Sequence, residues 1–152
     1  MNNKMLKNIL VLTIITVVAG FLLGFAYDIT KAPIAAQQEK TKQEAYESVF
    51  SEAVSFSGED AALKQDMDNA AGWLETAGYT QESIDEALAA KDASGNTIGF
   101  VFTITTSEGY GGDIEISMGI QNDGTVTGVE ILSISETAGL GMKSTEPEFK
   151  NQ

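Results

Sequence analysis

The stretch of sequence that decides the fold is residues 98–134, which read IGFVFTITTSEGYGGDIEISMGIQNDGTVTGVEILSI. Large apolar side chains occupy every second position over residues 98–104 and again over residues 114–120. This period of two is typical of half-buried β-strands. The Asn-Asp-Gly sequence at 122–124 predicts a hairpin turn, and residues 126–134 predict the strand that follows it. The sequence therefore predicts an antiparallel β meander.

Sequence of helical composition precedes the meander. Residues 29–50 are rich in Ala, Gln, Lys and Glu, which favour helix, and residues 60–72 predict a second helix. Residues 84–91 are ambiguous, and a turn at residues 93–96 then opens the meander. Helical segments followed by an antiparallel sheet predict the α+β class.

Three large side chains between the helical sequence and the meander have two interpretations. Trp73, Leu74 and Tyr79 could pack on the domain or contact a partner. Because such side chains are buried more often than not, we expect them in the core.

The N-terminal part of the chain predicts a membrane segment. Residues 9–27 read ILVLTIITVVAGFLLGFAY and carry no charge. At about 1.5 Å per residue they nearly span a hydrocarbon core of about 30 Å. A secretory signal peptide is the alternative, but its apolar region is usually about 7–15 residues long. We therefore predict a cytoplasmic N-terminus (1–8), a transmembrane helix (9–27), a helical, acidic connecting region (28–82) and a β-rich domain (83–152).

The charges around the apolar segment predict its orientation. Lys4 and Lys7 precede it, whereas all 22 acidic residues and the other 7 Lys follow it, a net charge of −15. The positive-inside rule places the short N-terminus in the cytoplasm and the main domain outside. Lys31, Lys40 and Lys42, which follow the segment, act against this prediction.

The composition excludes several classes of chemistry. The chain has no His, no Cys and no Arg. It therefore has no disulfide framework, no thiolate nucleophile, no Ser-His-Asp triad and no usual zinc site. Its net charge of −13 argues against nucleic acid as a partner, because phosphate binding needs clustered cations. Demanding chemistry would have to come from an organic cofactor.

Two glycine-rich breaks flank the last hairpin of the meander, GYGG at 109–112 and SETAGLGMK at 135–143. Glycine lets a flat ligand approach the main chain closely, but the alternative is that both breaks are structural turns. Neither break matches a dinucleotide fingerprint or a P-loop. No residue spacing predicts paired catalytic carboxylates or a calcium loop, so the sequence predicts no catalytic side chain and no metal site.

The second break carries a resemblance to a known family. Residues 136–141, Glu-Thr-Ala-Gly-Leu-Gly, resemble the Glu-Thr-Pro-Gly-Leu-Gly signature of membrane-anchored FMN-binding subunits. These are the G subunit of the Rnf complex (ion-translocating ferredoxin:NAD⁺ oxidoreductase) and the related C subunit of the sodium-translocating NADH:quinone oxidoreductase. Residues 92–102 and 110–112 follow the family's order and spacing as well. The resemblance is closer to the Rnf protein.

The resemblance implies a function. It implies an extracytoplasmic domain that holds FMN through a phosphoester to a Thr side chain. The flavin would relay electrons within a translocase that couples ferredoxin oxidation and NAD⁺ reduction to Na⁺ or H⁺ transport. The partners would be other Rnf-type membrane subunits, contacted through the transmembrane helix and the outer domain, and we expect no independent activity.

The resemblance also implies a flavin site. Leu140 would offer the ring an apolar contact, and backbone N–H groups near Gly139 and Gly141 would tune its polar atoms. Two residues of the first break are added by position only. The predicted cofactor-binding residues are Glu136, Thr137, Gly139, Leu140, Gly141, Tyr110 and Gly111.

The sequence departs from the family in two places. Ala138 replaces the proline of the signature, which restores backbone freedom and an N–H group. The attachment motif, Ser-Gly-Ala-Thr followed by Ser or Thr, occurs nowhere, and Thr137 and Thr145 lack its surroundings. We expect the sequence to be part of a longer subunit whose attachment Thr lies beyond Gln152. The alternatives are a flavin-free membrane-anchored assembly subunit and an acidic extracytoplasmic binding domain.

Overall fold

A long helix forms the N-terminal part of the computed structural model, which describes residues 3–150. The chain divides into two units, Met1–Lys40 and Thr41–Gln152, and helix α1 (Asn3–Val49) begins in the first and ends in the second. The outermost residues of the predicted N-terminal and β-rich segments, 1–2 and 151–152, lie outside the described residues.

The first unit is the apolar part of α1. Within residues 3–150, α1 is the one helix long and apolar enough to cross a membrane by length and composition. Its side chains are exposed along this part. Thr13 and Thr16 donate their hydroxyl protons to the carbonyls of Ile9 and Leu12, at 2.9 and 3.2 Å. The helix thereby satisfies its own polar side chains, as an apolar environment requires.

The second unit is a five-stranded antiparallel sheet with helices. Neighbouring strands in the sheet are also consecutive in the chain, so the sheet is a simple meander. The α+β class and the predicted meander are therefore confirmed. The elements are β1 (Ser55–Ser57), α2 (Ala61–Ala77), β2 (Glu82–Lys91), β3 (Thr97–Thr106), β4 (Ile114–Gln121), β5 (Val126–Ile134), a 3₁₀ helix (Gly141–Thr145) and α3 (Pro147–Lys150).

The end of α1 packs directly on the backbone of the sheet. Val49 and Phe50 are almost completely buried there. A Cβ atom at Gly99 would lie 2.6 Å from Phe50 Cε2, and one at Gly119 would lie 2.6 Å from Val49 O. The Thr127 hydroxyl donates a hydrogen bond to the carbonyl of Val49. Glycines on the central strands therefore make room for the helix end.

A polar network fastens the same helix end to the sheet. Tyr46 Oη donates to Glu86 Oε2 at 2.8 Å, so its 3.1 Å contact with Thr103 Oγ1 uses the threonine as donor. Lys42 Nζ lies 3.5 Å from a Glu86 carboxylate oxygen and 3.9 Å from one of Glu115. Thr103 is buried, so its hydroxyl depends on this network.

Helix α2 packs against β2. Asp60 caps its N-terminus by accepting a hydrogen bond from Ala62 N at 2.8 Å, and Gly78 ends it in the left-handed conformation. A groove of about 270 Å³ lies between α2 and the strands, lined mainly by apolar side chains such as Met67 and Phe102. The predicted second helix is confirmed and is longer than the sequence indicated.

The structure corrects the predictions for the region before β3. Trp73 and Tyr79 are 56% and 57% exposed, so the expectation of core packing is wrong for these two, and Leu74 is only half-buried. The ambiguous residues 84–91 belong to strand β2, whose Ala87 and Ala90 are buried. Small side chains there let helices approach the sheet closely. These contacts override the high helix propensity of alanine.

Candidate functional site

The two glycine-rich breaks lie at the same end of the sheet. We call residues 107–113, between β3 and β4, the first loop, and residues 135–141, after β5, the second loop. Thr106 at the end of β3 pairs with Ile114 at the start of β4, and Ile114 pairs with Ile134 at the end of β5. The register of the three strands therefore brings the loops together.

The first loop rests on the backbone of the second. Gly111 N donates a hydrogen bond to Glu136 Oε1 at 3.0 Å. A Cβ atom at Gly111 would lie 2.3 Å from Ser135 O and 3.2 Å from Glu136 Cα. Only glycine fits at this position without a shift of the backbone, because real Cβ contacts are not that short.

The second loop also folds against Glu136. A Cβ atom at Gly141 would lie 2.5 Å from Glu136 Cβ and 2.8 Å from Glu136 Cγ. A Cβ atom at Gly109 would lie 3.1 Å from Glu136 Oε1. The Glu136 side chain is therefore surrounded by three glycines, Gly109, Gly111 and Gly141, and is only partly exposed.

A tight turn shapes the rest of the second loop. Thr137 O accepts hydrogen bonds from Leu140 N at 3.1 Å and from Met142 N at 3.3 Å. Gly139 has a φ angle of +77°, which L side chains rarely adopt. The 3₁₀ helix and α3 follow, and Lys150 Nζ in α3 lies 2.7 Å from Glu130 Oε1 on β5. This ion pair holds the end of the described chain against the sheet.

Two large side chains project from the loops into solvent. Tyr110 in the first loop is 98% exposed, and Leu140 in the second is 72% exposed. The N–H group of Gly139 donates no hydrogen bond to any atom of residues 3–150. Exposed apolar side chains beside a free backbone donor suit a flat, mostly apolar ligand with polar edges.

These features fit the isoalloxazine ring of a flavin. Leu140 and Tyr110 offer the ring apolar surface, and Gly139 offers a donor to a ring nitrogen or carbonyl. Among residues 3–150, no group of three or more Asp or Glu side chains is placed to hold a metal ion. The exposed apolar side chains and the backbone donor are the features from which a cofactor-binding surface is proposed below.

The seven residues predicted from the sequence all lie on the two loops. The structure brings the backbone of the first loop against Glu136 and Gly141 of the second, while the assignment of these residues to a flavin stays a prediction. Sequence reasoning missed Ser135 and Gly109, which form part of the contact between the loops. The density of glycine in the first loop could have pointed to Gly109. Its φ angle is not positive, so no turn conformation requires glycine there.

Comparisons with known proteins match both ends of the chain. Residues 1–49 match the family described as the RnfG N-terminal region, and residues 109–152 match the FMN-binding domain. The second match begins in the first loop and includes the whole second loop.

Curated relatives match nearly the whole chain. The G subunit of an ion-translocating oxidoreductase complex from Methanosarcina acetivorans is 28% identical over 99% of this chain and 73% of its own length. The G subunit of a Na⁺-translocating ferredoxin:NAD⁺ oxidoreductase complex from Acetobacterium woodii is 28% identical over 90% of this chain and 63% of its own length. The G subunit of an ion-translocating oxidoreductase complex from Aliivibrio fischeri is 33% identical over 94% of this chain and 64% of its own length. The chain thus spans less than two thirds of the last two relatives.

Proposed function

From the similarity of this chain to the G subunits of ion-translocating oxidoreductase complexes, we propose that it belongs with them and is an electron-transfer subunit. In this proposal it works inside a membrane-bound Rnf-type translocase and relays electrons through FMN between ferredoxin and NAD⁺. The relay is coupled to transport of Na⁺ or H⁺. The chain has no activity of its own outside the complex.

The observation that carries the proposal is the contact between the two loops, in the region that matches the FMN-binding domain. Both loops fall inside residues 109–152 or border them, and both present an exposed apolar side chain at the same end of the sheet. The chain has no Cys and therefore no thiol–disulfide pair, which fits redox chemistry supplied by an organic cofactor.

Each residue of the site has a stated task in this proposal. Leu140 and Tyr110, both exposed, would offer the ring apolar surface, and Gly139 N would be available to donate to a polar atom at its edge. Thr137 O fixes the turn that presents Leu140. FMN, when bound, supplies the ability to accept and donate electrons singly or in pairs.

We further propose that the FMN is attached covalently, through a phosphoester to a Thr side chain. The support is the family resemblance of residues 136–141. The partners are other Rnf-type membrane subunits, which contact the apolar part of α1 and the outer domain.

The test begins with the flavin. We expect full-length subunit, produced from its gene in a host that attaches FMN, to fluoresce in a denaturing gel. Copurification with several polytopic membrane proteins and electron transfer from reduced ferredoxin to NAD⁺ would complete the result. A full-length subunit without flavin that still copurifies with these proteins would favour the flavin-free assembly subunit. An acidic binding domain would lack both properties.

Leu140 provides the sharper test of the site. We predict that Leu140→Ala shifts the flavin reduction potential or lowers electron flux several-fold while the free energy of unfolding changes little, because Leu140 is exposed. Redox titration of the bound flavin measures the shift. The matched control is Val54→Ala, since Val54 is 70% exposed and lies next to Lys91, at the other end of the sheet. An unchanged flavin spectrum and flux in Leu140→Ala would remove Leu140 from the site.

A further inference from the structure

The Glu136 side chain connects the two loops. Resemblance alone would point its carboxylate at the flavin, but Oε1 accepts the N–H of Gly111, 25 residues away in the chain. We infer that Glu136 is a positioning residue, which fixes the first and second loops in a single arrangement so that Tyr110 and Leu140 reach the same ligand. The inference rests on the proposed flavin-binding function and assigns to Glu136 a role in the protein before any ligand arrives.

The hydrogen bond to Gly111 is of the strong kind. A carboxylate that accepts from a backbone N–H forms a charge-assisted bond, about twice as strong as a neutral one. The bond is 3.0 Å long, and Glu136 is only partly exposed. The backbone of the first loop lies so close to Ser135 that a Cβ at Gly111 would be 2.3 Å from its carbonyl oxygen. The bond therefore holds two segments that already touch.

The aliphatic part of the Glu136 side chain, Cβ and Cγ, packs against the second loop, and we call it the stem. The position of a Cβ at Gly141 lies 2.5 Å from Glu136 Cβ, 2.8 Å from Cγ and 2.9 Å from Oε2. Gly141 has no positive φ angle, so the requirement for glycine there comes from space alone. The second loop therefore turns back on itself after Glu136, and its last residue, Gly141, packs against the Glu136 stem.

The two exposed side chains are each adjacent to one of these contacts. Tyr110 precedes Gly111, and Leu140 precedes Gly141. If the Glu136 side chain were removed, the loops would lose the hydrogen bond to Gly111 and the packing against Gly141, and would be less ordered relative to each other. A ligand that contacts both loops would then lose affinity, because binding would have to order them.

The test uses full-length chain in detergent and three variants. Glu136→Ala removes the acceptor and the stem, Glu136→Met keeps the stem but removes the acceptor, and Glu136→Gln keeps an acceptor oxygen but loses the charge. Hydrogen exchange of the Gly111 amide, measured by NMR without flavin, reports the loop contact directly. Titration with FMN, followed by quenching of its fluorescence, reports the site.

We expect the Gly111 amide to exchange at least about tenfold faster in Glu136→Ala and Glu136→Met, because the bond that protects it is gone. In Glu136→Gln the rate should stay within about threefold of wild type, since the amide oxygen still accepts. The dissociation constant for FMN should follow the same order, rising about tenfold in the first two variants. Glu146→Ala, which removes an exposed carboxylate from the adjoining segment, is the control and should change neither quantity.

The outcomes separate this inference from the proposed function. Wild-type chain that neither binds added FMN nor carries covalent flavin would overturn the flavin proposal, while the exchange measurement would still decide whether Glu136 joins the loops. Unchanged Gly111 exchange in Glu136→Met would overturn the inference even if FMN binds. So would FMN affinity that falls in Glu136→Gln as far as in Glu136→Ala while Gly111 exchange stays near the wild-type rate, because the charge itself would then act on the ligand. Since Glu136→Met keeps the packing against Gly141, it tests the inference even if Glu136→Ala does not fold.

Discussion

Single glycines decide how closely the end of α1 approaches the sheet. Gly99 and Gly119 pair with neighbours on the central strands and carry no positive φ angle. Their importance therefore comes from what lies above them, the Phe50 ring and the Val49 carbonyl. A glycine of this kind cannot be recognised by a turn motif, because Phe50 and Val49 precede Gly99 and Gly119 by 49 and 70 positions in the chain.

We predict that Gly99→Ala destabilises the second unit by about 1–3 kcal/mol, the usual cost of overpacking a core. The new methyl group would lie 2.3 Å from Ile120 O and 2.6 Å from the Phe50 ring. Urea unfolding followed by the fluorescence of Trp73, the only tryptophan, measures the change. The control is Gly72→Ala, where nothing lies within 4 Å and helix α2 should gain about 0.5–1 kcal/mol. Equal effects in the two variants would contradict the packing argument.

Asp92 gives the turn between β2 and β3 a dependence on pH. The side chain of Asn96 donates to its carboxylate at 3.0 Å, and the backbone N–H groups of Asn96 and Ser94 donate at 2.9 and 2.8 Å. These bonds, that of the Asn96 side chain first, hold the pKa of Asp92 below its ordinary value of 3.8. The folded pKa is depressed, so the stabilisation is present above pH 3.8 and is lost as the pH falls through the folded value.

We therefore predict that the amide resonances of Ser94 and Asn96 titrate together, with a midpoint below pH 3.8. NMR spectra recorded from pH 6 downward measure this midpoint. Asp92→Asn should abolish the titration of both amides. A midpoint at or above 3.8 would show that the carboxylate does not favour the folded turn.

At the scale of elements, the end of α1 is held by polar contacts as well as by apolar packing. We predict that Tyr46→Phe costs about 1–3 kcal/mol, because it removes the partner of the buried Thr103 hydroxyl. The same unfolding experiment measures the loss. Tyr79→Phe should change stability by less than about 0.5 kcal/mol, since Tyr79 is exposed. A neutral Tyr46→Phe would mean that water replaces the tyrosine hydroxyl.

The elements that the sequence predicted are those whose pattern is local. Strands β3 and β4 alternate apolar and other residues, and β5 follows the Asn-Asp-Gly turn signal at 122–124. Strand β1 is three residues long, and β2 contains alanines whose burial depends on helices from elsewhere in the chain. No local pattern encodes such contacts. The exposure of Trp73 has the same origin, because α2 has only one face against β2.

The site, like the elements, could be predicted only as far as local sequence patterns define it. The loops were found from their glycines and from a family resemblance, but the contact between Gly111 and Glu136 depends on the register of three strands. A shift of β4 against β5 by one residue would separate the two loops. The sequence thus identified the parts of the site and could not identify how they are joined.

At the scale of the whole molecule, the asymmetry of charge predicts which side of the membrane each end occupies. We propose that the N-terminus is cytoplasmic and the domain extracytoplasmic, because two lysines precede the apolar segment and a net charge of −15 follows it. Since the chain has no Cys, a single introduced cysteine reports its own location. We expect a membrane-impermeant maleimide to label Ser94→Cys in intact cells and Asn3→Cys only after lysis. The reverse pattern would overturn the orientation.

The packing of Val49 beneath β5 has a consequence for the order of synthesis. The carbonyl of Val49 accepts a hydrogen bond from Thr127, 78 residues later, and Gly128 lies against the same residue. The last strand of the sheet must therefore emerge from the ribosome before the apolar end of α1 can be covered. Until then, residues 45–50 are the segment that a holdase chaperone would bind.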